Sequence, residues 1–307
     1  MKENVLSASA LKKILPLALK HRLSGYRNEL YSKKTYIKYR MRKKYLTMPR
    51  LSPDSKQWLT ELNSKGFCKI SKPNFLESAE YFKLDINSET LRLSKPGSLT
   101  HIPEAAANTA GINNYWCSMK DPHIRKVFLD REILAMIYNY AGGQLFYRES
   151  PIFADHNYNG SNLLKSNRKE WANLLHSDYH LQINVMLLLT DITPETTKTI
   201  YAAGSNSRNF LLQNGKIEYP KSENLIDRYN YPLEQLTGKK GDVIIMDTGG
   251  MHAAEIIKGG RRTTLIGILN SGFPFKGYHE NLEDLKFENE TENFVIDSIN
   301  MGKKSNG

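Results

Sequence analysis

Apolar residues recur along this chain with two different periods, and the change from one to the other divides it. Trp58, Leu59 and Leu62 recur at helical spacing after Ser55 and stop at Gly66, which predicts a helix followed by a short strand at 67–70. Further helices are predicted at 75–84 and 122–140. In the second, Val127, Phe128, Ile133, Leu134, Met136 and Ile137 form the apolar face, and Gly142 and Gly143 end it. The chain then turns to short apolar runs. Strands are predicted at 144–148, 176–190, 242–246 and 263–269, separated by segments rich in Asn, Ser, Gly and Pro. A helical first third followed by many short strands predicts an α+β, mainly β fold: a sandwich or jelly roll flanked by helices. The Asn-rich stretch 155–173 is long for a simple connection and reads as a lid over a site. With 201–235 it is expected to line the entrance.

The first 50 residues follow a different pattern. Leu11, Ile14, Leu15 and Ala18 share one face of a helix that Ser9 would cap, although Pro16 interrupts it. Tyr31, Tyr36, Tyr39 and Tyr45 are then interleaved with Lys33, Lys34, Lys38, Arg40, Arg42, Lys43 and Lys44. Charge separates this arm from the rest. The chain carries 43 basic and 32 acidic residues; residues 1–50 hold 14 of the former and only Glu3 and Glu29 of the latter, leaving 29 basic and 30 acidic residues in 51–307. The net +11 is thus a property of the arm, and the body is neutral. Such an arm reads as a basic helix docked on the domain, as a peripheral contact with an anionic membrane, as a nucleic-acid contact, or as a targeting peptide without a secretory core. The prolines between 49 and 53 mark a boundary, so we expect an arm at 1–50, one domain at 51–288 and a polar tail at 289–307. No apolar run approaches the roughly 20 residues that span a bilayer. Cys68 and Cys117, far apart, suggest neither a disulfide framework nor a zinc ribbon, and point to a reducing cytoplasm.

The candidate chemistry lies in the strands. His176 and Asp178 are two residues apart, and in a strand residues i and i+2 project from one face. With a histidine from a distant strand they would complete a two-histidine, one-carboxylate triad, which leaves coordination positions open for a cosubstrate and O₂. His252, after the apolar strand at 242–246 and the turn Thr248-Gly249-Gly250, is the candidate. The same alternation puts His180, Gln182 and Asn184 on the face of His176 and Asp178, and Leu181, Ile183, Val185 and Leu187 opposite. The polar face is either a pocket or simply exposed.

Ten residues beyond His252 comes Arg262, at the start of a β-branched strand, with Thr264 on its face. A guanidinium grips a carboxylate with two hydrogen bonds and a neighbouring hydroxyl adds a third, which suits the distal carboxylate of 2-oxoglutarate. The adjacent Arg261 is the rival, because neighbours on a strand face opposite ways and only one can enter a barrel. Pairing with Thr264 and spacing from His252 favour Arg262; Arg261 is expected to be solvated.

In order and spacing these pieces resemble the phytanoyl-CoA dioxygenase-like family of iron(II) and 2-oxoglutarate oxygenases, from about Trp58 to Phe273. Gly66-Phe67-Cys68-Lys69-Ile70 is similar to its first strand, Leu175-His176-Ser177-Asp178 to its proximal metal motif, and Gly241-Asp242-Val243-Ile244-Ile245-Met246-Asp247 through His252 to its distal motif. Ala203-Gly204-Ser205-Asn206 departs from the family's Pro-Gly-Ser-His and is read as a structural turn. The resemblance implies a double-stranded β-helix, cupin-like core. It further implies His176, Asp178 and His252 as iron(II) ligands, with Arg262, Thr264 and Asn184 around 2-oxoglutarate. O₂ would serve as oxidant and succinate and CO₂ leave as products. Asp178 favours hydroxylation over halogenation, since the family's halogenases lack that carboxylate. The expected substrate is a small molecule, a lipid or a lipid-linked saccharide. The competing readings are an oxidative demethylase of nucleic acid, disfavoured by the neutral domain, and a non-catalytic membrane- or partner-binding protein on the same barrel. Oligomeric state is open.

Overall fold

The computed structural model describes residues 48–82, 99–101, 112–117, 119, 121–142, 145–147, 151–157, 175, 178, 182–206, 230–255, 257 and 259–271. His176, His180, most of the basic arm and the polar tail lie outside them.

Among the described residues four helices precede most of the strands. Helix α1, Pro53–Lys65, begins where the Ser52 side chain accepts from the Ser55 amide and proline occupies the first turn. It ends at Gly66, in the left-handed conformation at φ 92°. Strand β1, Phe67–Ser71, and helix α2, Pro73–Tyr81, follow. The helix expected at 122–140 is in fact two, α3 at Pro122–Phe128 and α4 at Arg131–Ala141. The break is a capping event: the Asp130 carboxylate accepts from the Glu132 and Ile133 amides, starting a second helix, and the Lys72 ammonium at the head of α2 pairs with it. Apolar periodicity does not register so short an interruption.

The remaining strands are β2 (Leu99–His101), β3 (Ile112–Cys117), β4 (Leu145–Tyr147), β5 (Ile152–Asn157), β6 (Gln182–Leu188), β7 (Lys198–Ala202), β8 (Leu233–Leu236), β9 (Asp242–Asp247), β10 (His252–Glu255) and β11 (Arg261–Ser271). All paired strands are antiparallel. The larger sheet runs β1-β9-β6-β11-β5-β3-β2, with β4 also on β11; the smaller runs β10-β7-β8.

The large sheet is covered on both faces, and alternation along each strand sorts its side chains. Ile183, Val185, Leu187, Val243, Ile245, Leu265 and Leu269 point into the core shared with the helices, packing with Leu62, Phe75, Phe128 and Ile133. The opposite set, Met186, Leu188, Ile244 and Met246, packs with Tyr201 of β7 and Leu236 of β8, and so fills the space between the two sheets. At roughly 25 cal/mol per Å² of apolar surface, these two cores dominate the driving force for folding.

Two further expectations change. The lid expected at 155–173 begins inside a strand, since Asp155 and His156 belong to β5; residues 158–173 lie outside the described part. The stretch 201–235 includes the buried Tyr201–Asn206 and the edge strand β8, with 207–229 outside the described part.

Candidate active site

In the described part of the predicted strand at 176–190, β6 runs from Gln182 to Leu188 and Asp178 lies outside any strand. Thr248 donates its amide to the Gln182 carbonyl and accepts the Asp178 amide on its own carbonyl, both at 2.8 Å. Two residues four apart bonded to the backbone of one residue cannot lie on a regular ladder, so strand alternation does not govern Asp178. Its carboxylate is oriented by a side chain instead: Gln182 Nε2 donates to Oδ2 at 3.0 Å. Gln182 is itself buried, on the face turned to the smaller sheet, as alternation predicts.

His252 opens β10. The turn after β9 carries the chain from the larger sheet to the smaller one instead of back across the same sheet. Buried Asp247 holds this turn: it accepts from Tyr140 Oη at 2.6 Å and from the Gly249 amide at 2.9 Å. Tyr201 Oη donates to the Asp247 carbonyl at 2.7 Å. Burial, then the nearby Asp247 carboxylate, push the Tyr201 phenol well above its ordinary range, so it remains a donor. A Cβ at Gly250 would overlap Tyr201 Oη, so only glycine lets the turn pass this close. Ser205 Oγ accepts the Met251 amide at 2.7 Å, and Asn206 Nδ2 donates to the carbonyls of Leu62 and Asn63 at the end of α1. The Ala-Gly-Ser-Asn element is thus a buried brace beside His252.

The His252 ring stacks over Tyr201, its cross-strand partner, with centroids 6.4 Å apart. Its Nδ1 lies 3.0 Å from the Gly250 carbonyl, which can only accept, so Nδ1 carries a hydrogen and Nε2 is the nitrogen that a neutral ring offers to a metal. Nε2 stands 3.7 Å from Asp178 Oδ2. That separation is too long for a hydrogen bond yet within twice the roughly 2.1 Å of a first-row metal–ligand bond. A divalent cation is what this pair fits. A histidine whose second nitrogen is tied to a backbone carbonyl is the usual support of a metal ligand. Among the described residues no third His, Cys, Asp or Glu joins the pair.

The two arginines separate as alternation requires. Arg261 turns toward the helices and is not solvated: its Nε and Nη2 donate to the buried Asp155 carboxylate at 2.8 and 3.0 Å, and Thr263 Oγ1 donates to the same group at 3.0 Å. A buried carboxylate of β5 holds it, a partner that local sequence does not reveal. Arg262, 7 % exposed, turns into the space between the sheets. Its Nη1 donates to Thr199 Oγ1 of β7 at 2.8 Å, and its Nη2 lies 2.9 Å from Nδ1 of His156 on β5. Thr264 is buried on the same face, but Thr199 is the hydroxyl that Arg262 meets. Asn184 is on that face too, and its buried Oδ1 has no hydrogen-bond partner among the described residues. Leaving such an atom unsatisfied costs about 1–3 kcal/mol.

The family model for phytanoyl-CoA dioxygenase (PhyH) matches residues 64–263. The chain belongs to the phytanoyl-CoA dioxygenase family, and with it to the iron- and 2-oxoglutarate-dependent oxygenases. No curated protein matches it in sequence. Among solved structures it is similar to the epimerase SnoN in complex with Fe³⁺, alpha-ketoglutarate and nogalamycin RO, at 10% identity over 71% of this chain and 83% of that one, TM-score 0.46. It is also similar to EctD from S. alaskensis with bound Fe, at 13% identity over 77% and 85%, TM-score 0.46. HygX from Streptomyces hygroscopicus, with nickel and 2-oxoglutarate bound, matches at 16% identity over 77% and 93%, TM-score 0.42.

Proposed function

We propose that this chain hydroxylates an aliphatic C–H bond of a small molecule, with Asp178, His252 and His176 holding iron(II) and Arg262 holding the far carboxylate of 2-oxoglutarate. The two antiparallel sheets are read as the two sheets of a double-stranded β-helix, with the reaction between them. The observation that carries the proposal is that His252 Nε2 stands 3.7 Å from Asp178 Oδ2 while Nδ1 is bonded to the Gly250 carbonyl.

Spacing along β7 supports the pairing of metal site and arginine. Tyr201, against which His252 stacks, and Thr199, which accepts from Arg262, are two residues apart on one face, about 7 Å along a strand. A short dicarboxylate suits a span of that size. Asn184, Thr264 and the neutral His156 border the same face.

Iron(II) with 2-oxoglutarate and O₂ supplies an oxidation in which the cosubstrate becomes succinate and CO₂ and a substrate C–H becomes C–OH. The chain's own residues orient and exclude. Gln182 fixes the Asp178 carboxylate, Gly250 fixes the His252 tautomer, and the guanidinium of Arg262 pairs with a carboxylate in a dry space, where that pairing is strongest. The carboxylate at Asp178 supports hydroxylation over halide transfer.

The Tyr- and Lys-rich stretch at 31–45 supports a substrate presented at a membrane, such as a lipid or lipid-linked saccharide. Among the described residues no helix is long and apolar enough to cross one. Succinate release by the full chain, supplied with iron(II), 2-oxoglutarate and air and challenged with free acids, saccharides and lipid-linked saccharides, tests the reading. One class is expected to stimulate release well above the uncoupled rate and to gain one oxygen atom by mass. A folded, iron-loaded protein that never consumes 2-oxoglutarate would refute it.

A further inference from the structure

The partner of Arg262 on the neighbouring strand is unusual for a cation. His156 is its direct cross-strand neighbour on β5, and Nδ1 of the ring stands 2.9 Å from Arg262 Nη2. A guanidinium has no acceptor and remains protonated, so it can only donate here. Nδ1 must therefore be the unprotonated nitrogen, Nε2 carries the ring hydrogen, and the imidazole is neutral. Burial first, and the charge of Arg262 second, lower the His156 pKa to about 3, in keeping with that assignment. On the other side the guanidinium donates to Thr199 Oγ1 at 2.8 Å, across the gap in the smaller sheet. One acceptor from each sheet thus pins the plane of the group.

Arg261, one residue earlier, pairs with the Asp155 carboxylate. Among the described residues Arg262 meets two neutral acceptors, Thr199 Oγ1 and His156 Nδ1, one on each side, and together they orient the guanidinium.

We propose that His156 is a positioning residue for the cosubstrate: as a neutral acceptor on Arg262 it fixes the guanidinium in the pose that receives a dicarboxylate. This rests on the reading that Arg262 binds 2-oxoglutarate. In His156→Asn the side-chain oxygen is bonded to Cγ as Nδ1 is and can accept in its place; in His156→Leu no acceptor remains.

The test is an anaerobic titration of the iron(II)-loaded full chain with 2-oxoglutarate, read by the visible absorption of the chelate and, independently, by the rise in thermal unfolding temperature. His156→Leu is expected to weaken 2-oxoglutarate about tenfold or more with iron affinity unchanged, the scale of a lost hydrogen bond to a charged group. His156→Asn is expected to restore binding to within about threefold. Should the leucine variant fail to fold, His156→Ala makes the same comparison. A folded Leu or Ala variant with wild-type affinity overturns the proposal, and so does an Asn variant as weak as Leu, since bulk and not the acceptor would then matter. Arg262→Leu, run beside them, separates the two levels. If it binds 2-oxoglutarate normally, the arginine reading fails and takes this one with it; if it alone loses binding, only the role of His156 fails.

Discussion

His252, at the start of β10, brings its imidazole to the Asp178 carboxylate, which lies outside the strands. Nε2 of the imidazole stands 3.7 Å from Oδ2 of the carboxylate, while Nδ1 is committed to the Gly250 carbonyl and Oδ2 already accepts from Gln182. Truncating either should therefore release the metal without unfolding the chain. Asp178→Ala and His252→Ala are each expected to lower Mn(II) affinity at least 100-fold, measured by electron paramagnetic resonance of unbound Mn(II), with little change in unfolding midpoint.

In the proposed metal site Gln182 would act through Asp178. Its Nε2 donates to the carboxylate at 3.0 Å from a buried position. Gln182→Leu is expected to reduce metal affinity about 10- to 100-fold, the usual range for removing the support of a ligand. Calorimetric titration of Mn(II) into the variant checks this; unchanged affinity would mean that Asp178 is held by other contacts.

The turn that delivers His252 depends on Asp247. Tyr140→Phe removes the 2.6 Å hydrogen bond to this buried carboxylate and leaves it under-satisfied. The expected cost is about 1–3 kcal/mol, read as a lower urea midpoint. Gly250→Ala, whose new methyl would overlap Tyr201 Oη, is expected to lose both stability and metal affinity.

The pH dependence follows from His156. Its pKa falls from an ordinary 6.5 to about 3 in the folded chain, through burial and then Arg262. The unfolded chain thus takes up a proton below 6.5 that the folded chain refuses. The contribution of this group to stability is complete above about pH 6.5 and declines as pH falls from there toward 3. Urea midpoints measured across that window should fall more steeply for the wild type than for His156→Asn.

What could be read from the sequence was local. Trp58, Leu59, Leu62 and the stop at Gly66 are neighbours along the chain, so helix α1 was legible, as were β9 and β11 from their apolar runs. Alternation put Arg261 and Arg262 on opposite faces, and only pairing with Thr264 and spacing from His252 chose between them. What the sequence hid are relationships between distant residues. His156 lies 106 positions from Arg262 and Thr199 lies 63, so no periodicity links them. Arg261 looked solvated because Asp155 is just as remote. The regular strand expected through Asp178 fails for a related reason: the backbone of Thr248, 70 residues on, takes the bonds that a ladder partner would have spread over several residues.

Iron(II) held by Asp178, His252 and His176 beside Arg262 has a spectroscopic signature. Anaerobic addition of iron(II) and then 2-oxoglutarate to the full chain is expected to give a weak visible charge-transfer absorption that saturates at one equivalent of each and vanishes in Asp178→Ala and His252→Ala. A folded wild-type chain that develops no such absorption, or variants that keep it, would rule this metal site out.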